Sequence, residues 1–423
     1  MSTVEIQIAE RARKYPEQAL TNLHGFIDEA LLHEALAGLN KRGAVGVDGQ
    51  SWSEYDRERE ERIPRVLTAF KAGSYRAPNI RRKYIPKAGG KKRPLGLPRV
   101  EDKLLQSAVS GVLRPVYEQI FYPCSYGFRP GKSAHQALEV LFRKVSFEGM
   151  RYLIDADITN YFGSIDHGQL REFLDLRIKD GVIRRMIDKW LKAGVLEDGQ
   201  VFYPGEGTPQ GGVISPLLAN IYLHYVLDEW FTEQIQPRLA GASALIRFAD
   251  DFLLLFASRE DAERVMKVLP KRLGKYALDL HPEKTRLVSL GAGAGKPNTF
   301  DFLGFTHYMG KSRKGKRILK RKTSSRKLRA SLQRMNEWIR GNRHKPITEL
   351  IAALNRKLQG HYGYYGITFN QRRISYFHDQ TKHLLHKWLN RRGGKPRWSW
   401  EEVCELTKTR IPLVKPRIVH SYA

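Results

Sequence analysis

The stretch RFADDFLLLF, Arg247–Phe256, sets two adjacent aspartates, Asp250 and Asp251, between two strings of strand-forming apolar residues. Side chains alternate along a strand, so neighbouring carboxylates converge on one point only at a tight turn joining two strands. Their charges repel there, and the arrangement is costly unless a divalent cation sits between them. The alternative is a solvated hairpin tip, because an Asp-Asp pair arises by chance on the order of once in a chain of this size. The residues upstream decide between the two.

Upstream, RYLIDADITNYFGSIDH (Arg151–His167) is a second apolar strand ending in acids, with Asp155 and Asp157 on one face and Ile154, Ala156 and Ile158 on the other. Two-metal phosphoryl transfer needs acids from separate strands converging on paired Mg²⁺ ions, and Asp157, Asp250 and Asp251 supply such a set. Between the strands, GEGTPQGGVISPLLANIYLHYVLDEWF (Gly205–Phe231) predicts a glycine-rich turn that opens a long helix, with Ser215 as its cap and Pro216 in its first turn. Those glycines let backbone approach a nucleotide.

Charge restricts the partner. Lysine and arginine number 73 against 44 acids, a net +29, which is beyond what solubility requires and predicts a polyanionic partner. A basic structural protein is the competing class, but 41% hydrophobic content over 423 residues points to a folded enzyme of two or three domains. Two cysteines, Cys124 and Cys404, are too few for a disulfide framework or a zinc site. No N-terminal apolar signal and no eighteen-residue apolar run occurs, which predicts a soluble cytoplasmic protein, working at the nucleoid and away from membranes.

Two other motifs fail. LGAGAGKPN (Leu290–Asn298) has Pro297 where a phosphate loop needs Ser or Thr after its lysine, so it reads as a surface turn. The thirteen histidines form no HExxH pair, and His281 reads as a capping or packing residue. By composition, residues 1 to about 75 are helical around the loop GAVGVDGQSW (Gly43–Trp52). RRKYIPK and KKRPLGLP then make a hairpin turned by Gly89 and Gly90, followed by a helix from Glu101 to about Tyr122.

Taken in order, these segments resemble the palm of a reverse transcriptase, and the flanking sequence is similar to the group II intron reverse transcriptase/maturase family. The motifs are YIPKAGGKKRPLGLPRVEDKLLQ (Tyr84–Gln106), SYGFRPGKSAHQAL (Ser125–Leu138), HPEKTRLV (His281–Val288), FDFLGFTH (Phe300–His307) and GHYGYYG (Gly360–Gly366), in a resemblance running from about Leu23 to Tyr422. Phe248 stands where the family more often has Tyr, and Tyr161 and Gly163 replace a commoner Phe and Asp. None of these departures removes a metal ligand.

The resemblance implies an α+β fold: a right-hand polymerase (fingers and palm) with an N-terminal helical extension and a C-terminal α-helical thumb/maturase domain. Residues 1–75 would be the extension, 76–308 the fingers and palm, 309–392 the thumb/maturase domain and 393–423 a short tail. The family's optional His/Cys-rich endonuclease is expected to be absent, since about thirty residues follow Arg392.

It further implies that Asp157, Asp250 and Asp251 are the catalytic acids and hold two Mg²⁺ ions, with Mn²⁺ as a substitute and the Ile158 carbonyl as a further ligand. The family's spacing, in which an aromatic follows the ligand by five residues, selects Asp157 over Asp155 and places Phe162 under the sugar. Lys87 and Arg93 would clamp the triphosphate, Gln210 would contact the incoming nucleotide, Lys284 would protonate pyrophosphate, and FLGF (Phe302–Phe305) would support the primer end. KSRKGKRILKRKTSSRKLR (Lys311–Arg329) leads toward a helix and is read as nucleic-acid-binding through Lys311, Arg313, Lys314, Lys320, Arg321, Lys322 and Arg326. Tyr362, Tyr364 and Tyr365 read equally as core residues or as stacking platforms for RNA.

The implied function is an RNA-directed DNA polymerase that also binds intron RNA as a splicing maturase and supports intron mobility. Its partners would be an RNA template, a DNA primer or target and dNTPs, and a homodimer is compatible with this reading. The alternative is a domesticated or vestigial reverse transcriptase acting mainly as an RNA-binding splicing or repair factor; the three acids argue against it. An RNA-dependent RNA polymerase would carry Asp where Phe162 stands.

Overall fold

The structure, a computed structural model, describes residues 3–86, 92–197, 200–203, 205–208, 211–291, 298–393 and 398–422. The fold is mixed α+β, in two compact units: residues 1–133 with 154–287, and 134–153 with 288–423. Among the described residues the strands are β1 (Ile80–Pro86), β2 (Lys92–Leu97), β3 (Tyr152–Asp157), β4 (Val195–Glu197), β5 (Gln200–Phe202), β6 (Ser243–Phe248), β7 (Asp251–Phe256), β8 (Arg286–Ser289), β9 (Phe300–Phe302), β10 (Phe305–Lys311) and β11 (Arg317–Thr323). None of the described helices is long and apolar enough to cross a membrane.

In the first unit, helices Thr3–Lys14, Glu29–Gly38, Trp52–Arg57 and Arg59–Lys71 occupy the N-terminal stretch. The glycine-punctuated loop ends where Ser51 and Glu54 form a reciprocal capping box, which satisfies two of the donors a helix start leaves open. β1 and β2 form the antiparallel hairpin expected from RRKYIPK and KKRPLGLP, with Tyr84 opposite Pro94; its turn, with Gly89 and Gly90, lies outside the described residues. This hairpin belongs to a sheet of order β2-β1-β4-β5. Helix Val100–Tyr117 buries Leu104, Leu105, Ala108, Val109, Val112 and Leu113, the stripe a core helix must hide.

The second sheet has the order β6-β7-β3-β8. Phe252, Leu253, Leu254, Leu255 and Phe256 of β7 are all fully buried. Both faces of that strand are covered, so its sequence is a continuous apolar run instead of an alternating one.

In the other unit, β11-β10-β9 form a three-stranded sheet, followed by helices Ser325–Asn342, Ile347–Tyr365 and Gln371–Leu389 around a core that includes Leu350, Leu354, Leu358, Tyr362 and Phe377. The basic stretch therefore does not simply lead into a helix, since its first residue ends β10 and its middle is β11. Strand alternation corrects one expected phosphate contact. Leu319, Arg321 and Thr323 point inward while Lys320 and Lys322 remain half-exposed. The Arg321 guanidinium is fully buried, 4.6 Å from the Tyr422 ring centre and 5.4 Å from that of Phe142, and donates to the Leu138 carbonyl at 3.1 Å. Burial lowers its pKa to about 10. A guanidinium so placed holds the core together and cannot face phosphate. Lys311, Arg313, Lys314 and Arg326 are exposed.

Candidate active site

β6 and β7 are joined by only Ala249 and Asp250, so that Phe248 pairs with Asp251. Ala249 has φ 58°, the left-handed value that a two-residue hairpin needs at its first turn position to match the twist of its strands. For an alanine that conformation costs roughly 1–2 kcal/mol, and a buried network holds it. Arg247, fully buried, donates to the Ala249 carbonyl (3.0 Å), to Asn220 Oδ1 (2.9 Å) and through two nitrogens to Asp228 (2.7 and 2.5 Å). Burial alone would lower the Arg247 pKa, but the charge and hydrogen bonds of Asp228 outweigh it and raise it, so the guanidinium stays charged.

The segment from Cys124 to Gly127 closes round the same turn. The Arg247 amide donates to the Cys124 carbonyl, the Tyr126 amide to the Arg247 carbonyl (both 2.8 Å), and Asn220 Nδ2 to the Gly127 carbonyl (2.7 Å). Position 127 must be glycine, because a Cβ there would lie 2.3 Å from the Ala249 nitrogen.

Asp157 ends β3, the neighbour of β7 in the sheet. Its carbonyl accepts from the His281 amide (2.7 Å), and the Thr159 amide donates to the Asp279 carbonyl (2.8 Å). These bonds flank the bridge between Ile158 and Leu280 and leave the Ile158 carbonyl out of it. Lys284 Nζ lies 2.5 Å from Asp157 Oδ2, while Arg286 approaches Asp155 at 3.6 Å, so the two acids of the strand face different cations. Tyr161 is buried and donates from its hydroxyl to the Ala219 carbonyl. Burial raises its pKa; Arg247 opposes this and Asp250 adds to it, so Asp250 lies within electrostatic reach of a residue four positions past Asp157.

Phe162 is half-buried, edge-on to Tyr161 with ring centres 5.4 Å apart. Its carbonyl accepts from the Thr208 amide (2.7 Å) and that of Ile165 from the Gly207 amide (2.8 Å), which docks the glycine-rich turn on YFGS. A Cβ on Gly207 would meet the Gly163 backbone at 2.9 Å. The following helix, Ser215–Leu223, has Ile214 and not Ser215 at its N-cap. The first helical amides, those of Leu217 and Leu218, go to the Ile214 carbonyl (3.0 and 3.2 Å), and Gln106 Oε1 holds the segment before it by taking the Val213 and Ile214 amides (2.8 and 3.5 Å). Lys87 and Gln210 lie outside the described residues; the backbone of Arg93 pairs with Ile85.

Among the described residues no three His, Cys, Asp or Glu side chains form a ready-made metal cage. Mg²⁺ does not need one, since it keeps several waters and takes one or two carboxylates together with substrate phosphates. Hard carboxylate oxygens on adjacent strands, one already drawing an ammonium to 2.5 Å, fit that ion.

Residues 85–307 match the reverse transcriptase (RNA-dependent DNA polymerase) family, and residues 316–403 match the maturase-specific domain of group II introns. The chain belongs to the group II intron-encoded reverse transcriptase/maturase family. The group II intron-encoded protein LtrA of Lactococcus lactis subsp. cremoris is 30% identical over 88% of this chain and 74% of that protein. Protein YkfC of Escherichia coli (strain K12) is 31% identical over 68% of this chain and 82% of its own length. A 91 kDa protein in the cob intron of Schizosaccharomyces pombe is 39% identical over 52% of this chain and 26% of its own. This reverse transcriptase/maturase is thus an RNA-directed DNA polymerase carrying a maturase domain.

Reading the motifs alone misses the residues that hold its turn, Arg247, Asp228 and Asn220, and Gln106, which holds the segment ahead of the helix. A signal for the first two was present. A charge inside a buried strand needs a partner, and Asp228, with Glu229, supplies the acids of the apolar helical segment that precedes the strand.

Proposed function

We propose that this reverse transcriptase copies RNA into DNA at Asp157, Asp250 and Asp251, and that it grips intron RNA as a splicing maturase that also supports intron mobility. The observation that carries the catalytic half is the two-residue turn at Asp250, locked from behind by Arg247 in the sheet that also holds Asp157. The right-hand plan assigns residues 1–75 to the extension, 76–308 to fingers and palm, 309–392 to the thumb/maturase domain and 393–423 to the tail.

The three aspartates and the Ile158 carbonyl would hold two Mg²⁺ ions, with Mn²⁺ able to substitute. When bound, the ions supply a lowered pKa at the primer 3′-hydroxyl and neutralise charge on the triphosphate. The chain's own groups do the rest. Lys87 and Arg93 grip the triphosphate, Gln210 faces the incoming nucleotide, and Phe162 fills the space a 2′-hydroxyl would need. Lys284 provides the proton for the departing pyrophosphate. Lys311, Arg313, Lys314 and Arg326, with the half-exposed Lys320 and Lys322, lie against phosphates. Template RNA, intron RNA, a DNA primer or target and dNTPs are the partners, in a cytoplasmic setting and as a monomer or homodimer.

Primer extension on an RNA template tests this. The purified protein should extend a DNA primer with Mg²⁺, and Asp250→Asn should abolish extension while RNA affinity largely persists. Extension by that variant would remove Asp250 from the site; inactivity of the intact chain would favour the RNA-binding alternative.

A further inference from the structure

Helix Ser325–Asn342 ends in a cluster of cations separate from the basic hairpin at its start. Arg340, Arg343, His344 and Arg392 line an open cavity of about 490 Å³ with Gly341 and Glu337, the single acid in its wall. Trp388, nearly buried and fixed by its indole N–H on Asn336 Oδ1 at 2.8 Å, has four cations around its ring: Arg391 at 5.3 Å, Lys387 at 5.4 Å, Arg343 at 5.5 Å and Arg340 at 5.8 Å. Backbone oxygens anchor the guanidiniums. Arg343 Nη1 donates to the Arg340 carbonyl (3.0 Å) and Arg392 Nη2 to that of Lys345 (2.9 Å). Burial lowers the Arg392 pKa.

Crowded like charges repel unless an anion joins them, and the planar guanidinium fork matches phosphate oxygens in pairs. We propose that this cup is a second RNA-phosphate site of the maturase domain, distinct from the hairpin of Lys311, Arg313 and Lys314. It rests on the reading of this region as RNA-binding and adds a site to it. Arg326 and Arg340 are on one helix, about 21 Å apart at 1.5 Å per residue. A rigid rod with a phosphate grip near each end favours RNA whose phosphates hold a fixed spacing, so a folded RNA should gain more from the second grip than an unstructured strand of equal length.

The test is the salt dependence of RNA affinity for Arg340→Gln/Arg392→Gln, both exposed positions, beside Arg340→Lys/Arg392→Lys and a hairpin variant with Gln at Lys311, Arg313 and Lys314. The Gln pair should weaken folded-RNA binding and lower the slope of log affinity against log salt by roughly 0.7–0.9 for each phosphate no longer neutralised, while the Lys pair keeps most of the slope. The loss should be smaller on the unstructured strand. If the double variant melts early, Arg392→Gln alone carries the test, with the slope change of a single phosphate. An unchanged slope at Arg340 and Arg392 with a lowered slope for the hairpin variant overturns the second site and leaves the RNA reading standing. Unchanged slopes in both overturn the RNA reading as well.

Discussion

Lys284 holds its ammonium 2.5 Å from Asp157 Oδ2, so the acid that ends β3 is balanced by a cation from the chain itself. The two side chains are 53% and 41% exposed, water screens them, and such a pair contributes no more than about 1 kcal/mol. It is weak enough to part, and on the proposed role of Lys284 the ammonium would then be free to meet the triphosphate.

Lys284→Met should therefore lower the Mg²⁺ concentration needed for half-maximal primer extension by up to about fivefold, the equivalent of 1 kcal/mol. The maximal rate should fall by on the order of 10²-fold, as loss of a general acid does. A Mg²⁺ titration of both proteins reads the two effects separately. An unchanged Mg²⁺ requirement would mean that the ammonium does not compete for Asp157.

Arg247 and Asp228 form a buried pair, both fully hidden from solvent. Arg247→Met should destabilise the protein by about 3–5 kcal/mol, because Asp228, whose pKa burial raises, loses the partner that compensates it in the core. Arg247→Met/Asp228→Leu should regain much of that stability in urea melts yet remain slow in primer extension, since the Ala249 carbonyl loses its donor either way. Full activity in the double variant would show that the turn needs no such support.

Phe162→Ala tests the sugar gate. Overpacking by a 2′-hydroxyl costs about 1–3 kcal/mol, so the truncated variant should raise ribonucleotide use by roughly ten- to a hundredfold relative to deoxyribonucleotide. Matched dNTP and rNTP incorporation gives the ratio. A constant ratio with a lowered melting temperature would return Phe162 to the core.

Asp102 gives a pH dependence. Burial raises its pKa to about 7, against hydrogen bonds from Trp190 Nε1 (3.0 Å) and the Tyr75 hydroxyl (3.2 Å). Between the unfolded value of about 3.9 and 7 the folded protein keeps a proton that the unfolded chain has lost. Stability from this group is complete below pH about 4 and declines until pH about 7, at up to about 1.4 kcal/mol per pH unit. Asp102→Asn should gain on the wild type between pH 5 and pH 8 in thermal melts. An equal difference at both pH values would place the carboxyl at an ordinary pKa.

The placement of Asp157, Asp250 and Asp251 was legible because each stands at the end of an apolar strand, where alternation stops. Arg321 was not, since the five basic residues among Arg317–Arg326 read first as a charge run, and only period-2 counting from Leu319 puts it inside. Ser215 misled because the first helical amides, those of Leu217 and Leu218, go to the Ile214 carbonyl (3.0 and 3.2 Å), one residue earlier than the serine cap would place the start, and Gln106, 107 residues from Val213, holds that segment, a contact with no local trace. The tyrosines of GHYGYYG divide by partner: Tyr362 lies in the helical core, while the Tyr364 hydroxyl donates to the Leu303 carbonyl at 2.8 Å beneath the FLGF turn.

Helix Ala134–Phe147 belongs with residues made long after it, for Leu138 and Arg321 are separated by 183 positions. At roughly 5–20 residues per second of synthesis, the helix waits on the order of 10–40 s before β11 leaves the ribosome. Throughout that interval Leu138, Leu141, Phe142 and Val145 have no sheet to cover them, and the nascent chain carries an adhesive stripe past every neighbour it meets. Glu139 and Arg143, on the opposite flank of the helix and exposed in the finished protein, then act as gatekeepers of solubility during translation.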